Sequence, residues 1–490
     1  MADSSSQAAH PNPNPNPRLP GGPEKVGGTQ HPLALCLINC LVLFALLLAA
    51  NPAFCATTAR ELVTPKGLRV WLIEDHSTPL LTLGFRFAGG ATQDQPGKEG
   101  LAHFTAEMFL QGAGTMPVET YLRAWSEIGA EATIEARHES LRGTLKVLKQ
   151  DRDKAADLLA ITIGEPRLAE TTLNEVRDQV LSDIEHDAAD PETIAYDAYG
   201  RLAYGTHRLA RPLIGTRQGL AAISAADIAR YRRNVLTLDG LTLSAVGDIT
   251  PAELAPMVDR IFAGLPAHGT VLALQPPAVP RAQRSDLPLS ASEAQVVFGV
   301  SLGQLNPRQR AMAELLNYTL GGSAFTSRLY RQIRDKRGLA YSIGTSLDTY
   351  SVLSEITGNF GAAPNKVEEA LAITRAELAK LAADGPSDDE VAEAKAALAG
   401  QYLRGLITQV DLANELTLRM AQGFGADYVA SYATRLADIA PAELRTFARE
   451  IAWLDRLVVV TVGARAEPAG ATLATTGQRS RSQPPPAPEP

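Results

Sequence analysis

Apolar and polar residues alternate with a period of two in two short runs, at residues 68–73 and 81–87. This period is typical of half-buried β-strands. A helical pattern covers residues 100–110, and further strands are predicted near 131–137, 140–148, 294–300, 340–346 and 352–360. Because strands cluster in some places and helices in others, the pattern predicts an α+β fold. We expect antiparallel-rich sheets packed with helices, and not a doubly wound parallel sheet.

The body of the chain also contains an internal repeat at an offset of 216 residues. Residues 220–228 match 436–444, and the β-rich run 241–247 matches 457–463, without a gap. In each copy a Ser or Pro opens a short helix and an acidic residue follows within three positions, as at a capped helix start. The repeat predicts two homologous domains, at residues 57–268 and 289–467, joined by a Pro-containing linker at 269–288.

Both ends of the chain differ from this body. Residues 1–31 contain repeated Asn-Pro pairs, and residues 468–490 are rich in Pro, Ser, Gln and Thr, so both segments are predicted to be disordered. Residues 33–50 are almost wholly apolar and lead into small residues of the type found at signal-peptide cleavage sites. We predict a signal peptide at 32–56 and export to the periplasm. A membrane anchor through residues 33–50 is the alternative.

Charge and cysteine content narrow the possible functions. The chain has 490 residues and a net charge of −8, without a long basic run to contact phosphates, which argues against nucleic-acid binding. All three cysteines, Cys36, Cys40 and Cys55, fall in or beside the apolar segment. A cleaved product would keep none of them, so we expect neither disulfides nor a thiolate nucleophile.

The predicted helix of the first domain carries residues at metal-ligand spacing. The run Gly100-Leu-Ala-His103-Phe-Thr-Ala106-Glu107 resembles the signature of the insulinase (pitrilysin) family of zinc peptidases, which has H-x-x-E-H at this place. In that motif two His on one helical face hold zinc, and the Glu takes a proton from metal-bound water. The resemblance places His103 at the first ligand, Ala106 at the base and Glu107 at the second His. Asp183 falls where the family has its downstream acidic ligand.

These replacements predict that the chain does not cut peptides alone and holds no cofactor of its own. Loss of a general base typically costs about 10²–10⁴-fold in rate. A carboxylate in place of the second His weakens the preference for zinc. We interpret His103 as a partly buried residue hydrogen-bonded to Glu107 or Asp183. A weak metal site formed by these three residues is the alternative.

A second motif, in the other domain, is complete. Gly321-Gly322 followed by Arg334 and Tyr341 resembles the family's Arg/Tyr hallmark, which reaches the active site formed by the opposite domain. The resemblance implies that Arg334 and Tyr341 bind the substrate backbone and stabilise the oxyanion, tasks that suit a guanidinium and a phenol. It also implies that Gly321 and Gly322 form a flexible loop that touches the peptide. The structural alternative is a helix end capped by cations and Gly, with Tyr341 beginning a strand.

The degenerate zinc motif and the retained Arg/Tyr pair predict a division of roles between two chains. Some family members are heterodimers in which one chain brings zinc and base and the other brings the Arg/Tyr pair. We therefore expect a non-catalytic or substrate-binding subunit that acts on peptides or unfolded polypeptides. Its partner would be a paralogous chain with an intact H-x-x-E-H motif and bound zinc. The alternatives are a non-enzymatic peptide-binding or structural scaffold of the same fold, and an independent weak metalloenzyme.

Overall fold

The computed structural model describes residues 58–464 of the chain. The predicted leader, the signal peptide with its neighbouring cysteines, and the tail at 468–490 lie outside the described residues. Within residues 58–464, no helix is both long enough and apolar enough to cross a bilayer.

The first half of the body folds around a six-stranded sheet. Its strands are β1 (Arg60–Val63), β2 (Arg69–Glu74), β3 (Leu80–Ala88), β4 (Glu131–Ala136), β5 (Ser140–Leu148) and β6 (Leu241–Gly247). Across the sheet the order is β1-β2-β6-β3-β5-β4, with β2 and β6 parallel and the other neighbours antiparallel. The strands predicted in this half, near residues 68–73, 81–87, 131–137 and 140–148, are therefore confirmed.

The second half repeats this plan with five strands. They are β7 (Gln283–Leu287), β8 (Ala294–Gly303), β9 (Ala340–Thr349), β10 (Ser354–Ala362) and β11 (Leu457–Val462). The order is β7-β11-β8-β10-β9, and here β7 and β11 form the parallel pair. β11 thus occupies the place that β6 has in the first sheet, as the repeat predicts. The expectation of two similar, antiparallel-rich α+β domains is confirmed.

Helices pack on both sheets. In the first half they are α1 (Leu101–Phe109), α2 (Val118–Glu127), α3 (Arg152–Gly164), α4 (Glu170–Asp187), α5 (Pro191–Tyr204), α6 (Arg217–Ala222), α7 (Ala225–Val235) and α8 (Pro251–Ile261). In the second half they are α9 (Pro307–Asn317), α10 (Val367–Asp384), α11 (Asp388–Arg404), α12 (Gln409–Ala421), α13 (Tyr428–Ala437) and α14 (Pro441–Glu450). Short 3₁₀ turns lie at Gly90–Gln93, Lys149–Asp151, Arg208–Ala210 and Pro364–Lys366, and π-helical turns at Tyr318–Gly322 and Tyr330–Asp335.

The helix starts of the repeat follow the predicted chemistry. Ser224 caps α7 and forms a reciprocal capping box with Asp227, which satisfies two of the free amides of the first turn. The equivalent helix α14 begins instead with Pro441 at its first turn, where a missing N–H costs nothing because no intrahelical partner exists there.

Strand β7 lies inside the predicted linker at 269–288. Its side chains are exposed or half-buried, because β7 is an edge strand. A strand of this kind lacks the buried apolar face on which sequence patterns depend. Residues 283–287 therefore belong to the second sheet, and the connecting segment is shorter than expected.

Each half also covers the other half's sheet with one helix. From the first half, α5 packs Ala195 and Tyr199 against Val297 and Val458 of the second sheet. From the second half, α12 packs on β3 and β6, where Ala413 and Leu416 join a cluster with Trp71, Ile73 and Val246. Burying an apolar side chain of this size contributes about 1.5–3 kcal/mol. The two halves are therefore interlocked by exchanged helices.

Glycines in the central strands let these helices approach the sheets. A Cβ at Gly84 of β3 would lie 2.8 Å from Ser244 Oγ and 3.1 Å from the Ala413 carbonyl oxygen. A Cβ at Gly299 of β8 would overlap the hydroxyl of Tyr199. Ser244 Oγ instead donates to the Ala413 carbonyl at 2.8 Å, so the close approach also satisfies a buried hydroxyl.

Candidate functional site

Helix α1, which carries the degenerate metal motif, is fixed firmly at its first turn. Gly100 precedes it with φ +100°, and a Cβ there would lie 2.7 Å from the Ile214 carbonyl oxygen. The buried carboxylate of Asp94 accepts from the Gly100 and Ala102 amides at 2.7 and 2.9 Å. Phe104 faces the core and is fully buried. The scaffold of the helix is thus preserved.

His103, Glu107 and Asp183 lie close together on α1 and the neighbouring helix α4. His103 is half-buried, whereas Glu107 and Asp183 are exposed. Burial lowers the pKa of His103, and the nearby charges of Glu107 and Asp183 oppose that shift. Asp183 accepts a hydrogen bond from Gln179 Nε2 at 3.0 Å.

The predicted hydrogen bond from His103 to Glu107 or Asp183 is wrong. Within the described chain His103 makes no side-chain hydrogen bond; its imidazole is half-buried, and both acids are exposed. Its partial burial, the other half of that interpretation, agrees with the structure.

The residues of this site do not fit a zinc ion. Ala106, at the position of the general base, is 1% exposed and presents only a methyl group to the core. Across residues 58–464, no group of three or more His, Cys, Asp or Glu side chains is placed to hold a metal. Because a zinc site needs three protein ligands converging at about 2.0–2.3 Å, no step of a metal-assisted hydrolysis can be assigned to α1.

The half-buried Arg334 and the exposed Tyr341 form a pair at the edge of the second sheet. Arg334 lies in the π-helical turn Tyr330–Asp335, and Tyr341 is the second residue of the edge strand β9. The Arg334 guanidinium carbon is 5.1 Å from the ring centres of both Tyr330 and Tyr341. Cation–π contacts of this kind contribute about 0.5–1 kcal/mol at exposed sites, and they hold the guanidinium between two rings.

The donors of this pair are free to bind another molecule. Tyr341 is 81% exposed. In the part of the chain that the structure describes, neither the Arg334 guanidinium nor the Tyr341 hydroxyl hydrogen-bonds to a protein group. A guanidinium and a phenol side by side can donate several hydrogen bonds to a carbonyl or an oxyanion.

The structural alternative for this motif agrees with the helix end and with the strand start. Arg337 Nη1 donates to the Gln332 carbonyl at 2.8 Å. Gly338 has φ +56° and its amide donates to the Arg334 carbonyl at 3.0 Å, while the Leu339 amide donates to the Ile333 carbonyl at 2.9 Å. This is a glycine C-cap. The Arg334 side chain takes no part in it, and Tyr341 does lie at the start of a strand with its ring in solvent.

Gly321 and Gly322 do not form the flexible loop that we expected. They end the π-helical turn Tyr318–Gly322, which continues α9. Gly321 is buried, and a Cβ there would lie 2.6 Å from Thr345 Cγ2 of β9. Gly322 is exposed, and its Cβ would lie 2.7 Å from Asn317 Nδ2. Close packing against β9 thus accounts for Gly321.

Two residues of these sites were not predicted from the sequence. Tyr330 lies four residues before Arg334, a spacing that puts both side chains on one helical face and could have indicated the contact. Asp94 caps α1 from six residues before Gly100, outside any capping-box spacing. Only the folded chain brings it to the helix.

The fold and these sites together define an insulinase-type pair of domains with a degenerate metal helix and an intact Arg/Tyr motif. Comparison with known sequences agrees: the profile described as insulinase (peptidase family M16) matches residues 69–217, and the profile described as peptidase M16 inactive domain matches residues 222–398. The chain belongs to the insulinase family.

Relatives and solved structures are similar over most of the chain. The uncharacterized zinc protease YmxG of Bacillus subtilis is 24% identical over 340 residues, 69% of this chain and 82% of that protein. An uncharacterized zinc protease of Streptomyces coelicolor is 26% identical over 407 residues, which are 80% of this chain and 87% of that protein. The crystal structure of a peptidase M16 inactive domain from Pseudomonas fluorescens superposes with a TM-score of 0.78 at 21% identity, covering 84% of this chain and 100% of that one.

Proposed function

We propose that this chain is the non-catalytic subunit of an insulinase-family zinc peptidase and supplies Arg334 and Tyr341 to the active site of a partner chain. The observation that carries the proposal is the pair itself. Tyr341 is exposed, Arg334 is half-buried, and the donors of both side chains have no hydrogen-bond partner within residues 58–464. A pair that served only this chain's fold would be expected to bury or bond those groups. The absence of a general base at position 106, which is Ala106 here, supports the same division of roles between two chains.

In this proposal the partner brings zinc and the general base through an intact H-x-x-E-H helix. The substrate is a peptide or an unfolded polypeptide. Arg334 binds its backbone carbonyl, and Tyr341 donates to the same oxygen as negative charge develops on it. Donors placed in advance for a developing oxyanion stabilise the transition state more than the ground state. The rings of Tyr330 and Tyr341 limit the rotation of Arg334 before substrate arrives.

We also propose that the chain acts after export, in the periplasm. The support is the apolar run at 33–50 with small residues after it, and this segment lies outside the described residues. Fractionation of cells producing the full chain, with N-terminal sequencing of the product, tests this point independently of the peptidase assay.

The central test mixes the purified chain with a paralogue that has an intact H-x-x-E-H motif and follows cleavage of a fluorogenic peptide. The chain alone should be inactive and the mixture active. Arg334→Ala and Tyr341→Phe should each lower kcat of the mixture by about 10²–10³-fold, the usual cost of one oxyanion donor. Arg331→Ala is the matched control, because Arg331 lies in the same turn and its guanidinium is 3.9 Å from Glu393.

Size-exclusion chromatography of each mixture separates assembly from chemistry. If the Arg334 and Tyr341 variants still form the complex and its turnover stays at the wild-type rate, the role assigned to the pair is wrong. A stable complex that cleaves no peptide at any ratio of the two chains would instead favour the structural scaffold.

A further inference from the structure

A cavity of about 240 Å³ lies in the second half, lined by α9, by α13 and by the end of α12. Neither the residues of α1 nor those of the Arg334 turn line it. It is therefore separate from the sites described above.

Four guanidinium groups line this cavity, those of Arg308, Arg310, Arg419 and Arg435. Arg308 is paired with Glu443, and two of the other three lack a carboxylate partner. Arg419 is paired with Glu415 at 2.6 Å. Arg435 donates to Ser431 Oγ at 2.9 Å and forms no ion pair among the described residues. The Arg310 side chain makes neither a hydrogen bond nor an ion pair within residues 58–464, and its Nε is buried without a partner. An unsatisfied buried donor is unfavourable, so an acceptor brought by a ligand would stabilise this arrangement.

The acids at the cavity do not balance these charges. Glu314 is occupied by a hydrogen bond from the Tyr432 hydroxyl at 2.9 Å, and burial raises its pKa, which favours its neutral form. Asp438 is exposed at the rim. Burial, and then the charge of Arg419, lower the pKa of Arg310, as expected for a desolvated cation beside another cation.

Aromatic rings form the rest of the wall. Phe424 and Tyr428 have ring centres 4.5 Å apart. The guanidinium carbons of Arg419 and Arg435 lie 4.6 and 4.8 Å from the Tyr428 ring centre. These contacts hold two cations beside an apolar surface, a combination that suits a ligand with a charged end and a flat or apolar body.

We propose that this cavity binds a small oxyanion, a carboxylate or a phosphate, carried on an aromatic or apolar body. Arg310 and Arg435 hold the oxyanion, since planar guanidinium groups match its geometry. Phe424 and Tyr428 contact the body. The site is independent of the Arg334 and Tyr341 pair, so it can exist whether or not the chain works with a zinc-bearing partner.

Isothermal titration calorimetry of the full chain with phenyl phosphate, benzoate and inorganic phosphate tests this site, at constant ionic strength set with chloride. Phenyl phosphate or benzoate should bind more tightly than inorganic phosphate. Arg310→Gln and Arg435→Gln should each weaken binding by about tenfold or more, the effect expected for a charge-assisted hydrogen bond. Arg308→Gln is the matched control, because Arg308 lines the same cavity but is bound to both Glu443 oxygens at 2.6 Å.

Arg310→Gln should fold normally, since it removes an unpaired, half-buried cation. Arg435→Gln provides a second variant that lines this cavity and not the neighbouring groove, which Arg310 also lines. The proposal is overturned if none of the three anions binds the wild-type chain. It is also overturned if both Gln variants bind as the wild type does, or if Arg308→Gln weakens binding as much as they do.

Discussion

Glu355 should make the stability of the chain fall as the pH rises from about 4.5 to about 7. This residue of β10 is 3% exposed and accepts hydrogen bonds from two tyrosines of the first half, Tyr199 at 2.8 Å and Tyr204. The two donors favour the ionised form, but burial outweighs them and raises the pKa of Glu355 to about 7. The folded chain therefore binds a proton in a range of pH where the unfolded chain has already released it.

The sign and size of the effect follow from that difference. For a carboxyl with a raised pKa, the contribution to stability is fully present below the unfolded value of 4.5 and is lost as the pH rises to about 7. At about 1.4 kcal/mol per pKa unit, the loss is about 3 kcal/mol. Glu355→Gln resembles the protonated acid, because its amide oxygen can accept from one tyrosine and its NH₂ group can donate to the other.

The assay is urea unfolding of wild type and Glu355→Gln at pH 5 and pH 8. The free energy of unfolding of the variant, relative to wild type, should rise by about 2–3 kcal/mol between the two pH values. Asp94, whose pKa burial also raises to about 7, titrates in both proteins and cancels in this comparison. If the difference between the two proteins is the same at both pH values, Glu355 is ionised in the folded chain and the reasoning fails.

Three further outcomes are expected. Gly299→Ala should lower the free energy of unfolding by about 1–3 kcal/mol, because its Cβ overlaps Tyr199. Gly164→Ala, with nothing within 4 Å of its Cβ, should raise the free energy of unfolding by about 0.5–1 kcal/mol. Equal effects of the two substitutions in urea unfolding would contradict this. Asp94→Ala should cost about 1–3 kcal/mol by leaving two helix amides unpaired, and a wild-type urea midpoint would argue against that cap. His103→Ala should leave the zinc content of the purified chain unchanged in atomic-emission analysis, and loss of stoichiometric zinc would restore the weak metalloenzyme.

Sequence alone predicted the elements whose patterns are strong. The alternation in β3 and the repeat that links β6 to β11 each depend on buried apolar residues at fixed spacing. The motif residues Arg334 and Tyr341 were also predicted from local sequence, and they do lie near each other. Where the pattern was weak, in the half-exposed edge strand β7, the prediction assigned a linker.

Contacts between distant segments could not be predicted in this way. The hydrogen bonds of Tyr199 and Tyr204 to Glu355 join residues more than 150 positions apart, and no local spacing signals them. Local spacing also gives no signal for Asp94, which caps α1 across a turn. For His103, the expected hydrogen bond depended on the side-chain positions of Glu107 and Asp183, which local spacing does not determine. Periodicity predicts which face of an element is buried, but it does not say what covers that face.

The exchanged helices have a consequence for the ancestry of the fold. In this fold, the helix that covers one face of each sheet comes from the other half. One half by itself would therefore leave that face of its sheet exposed to solvent. A single ancestral copy would therefore have had to pair with a second copy, each lending α5 or its equivalent to its neighbour. The present chain then corresponds to a domain-swapped dimer whose two subunits became one polypeptide.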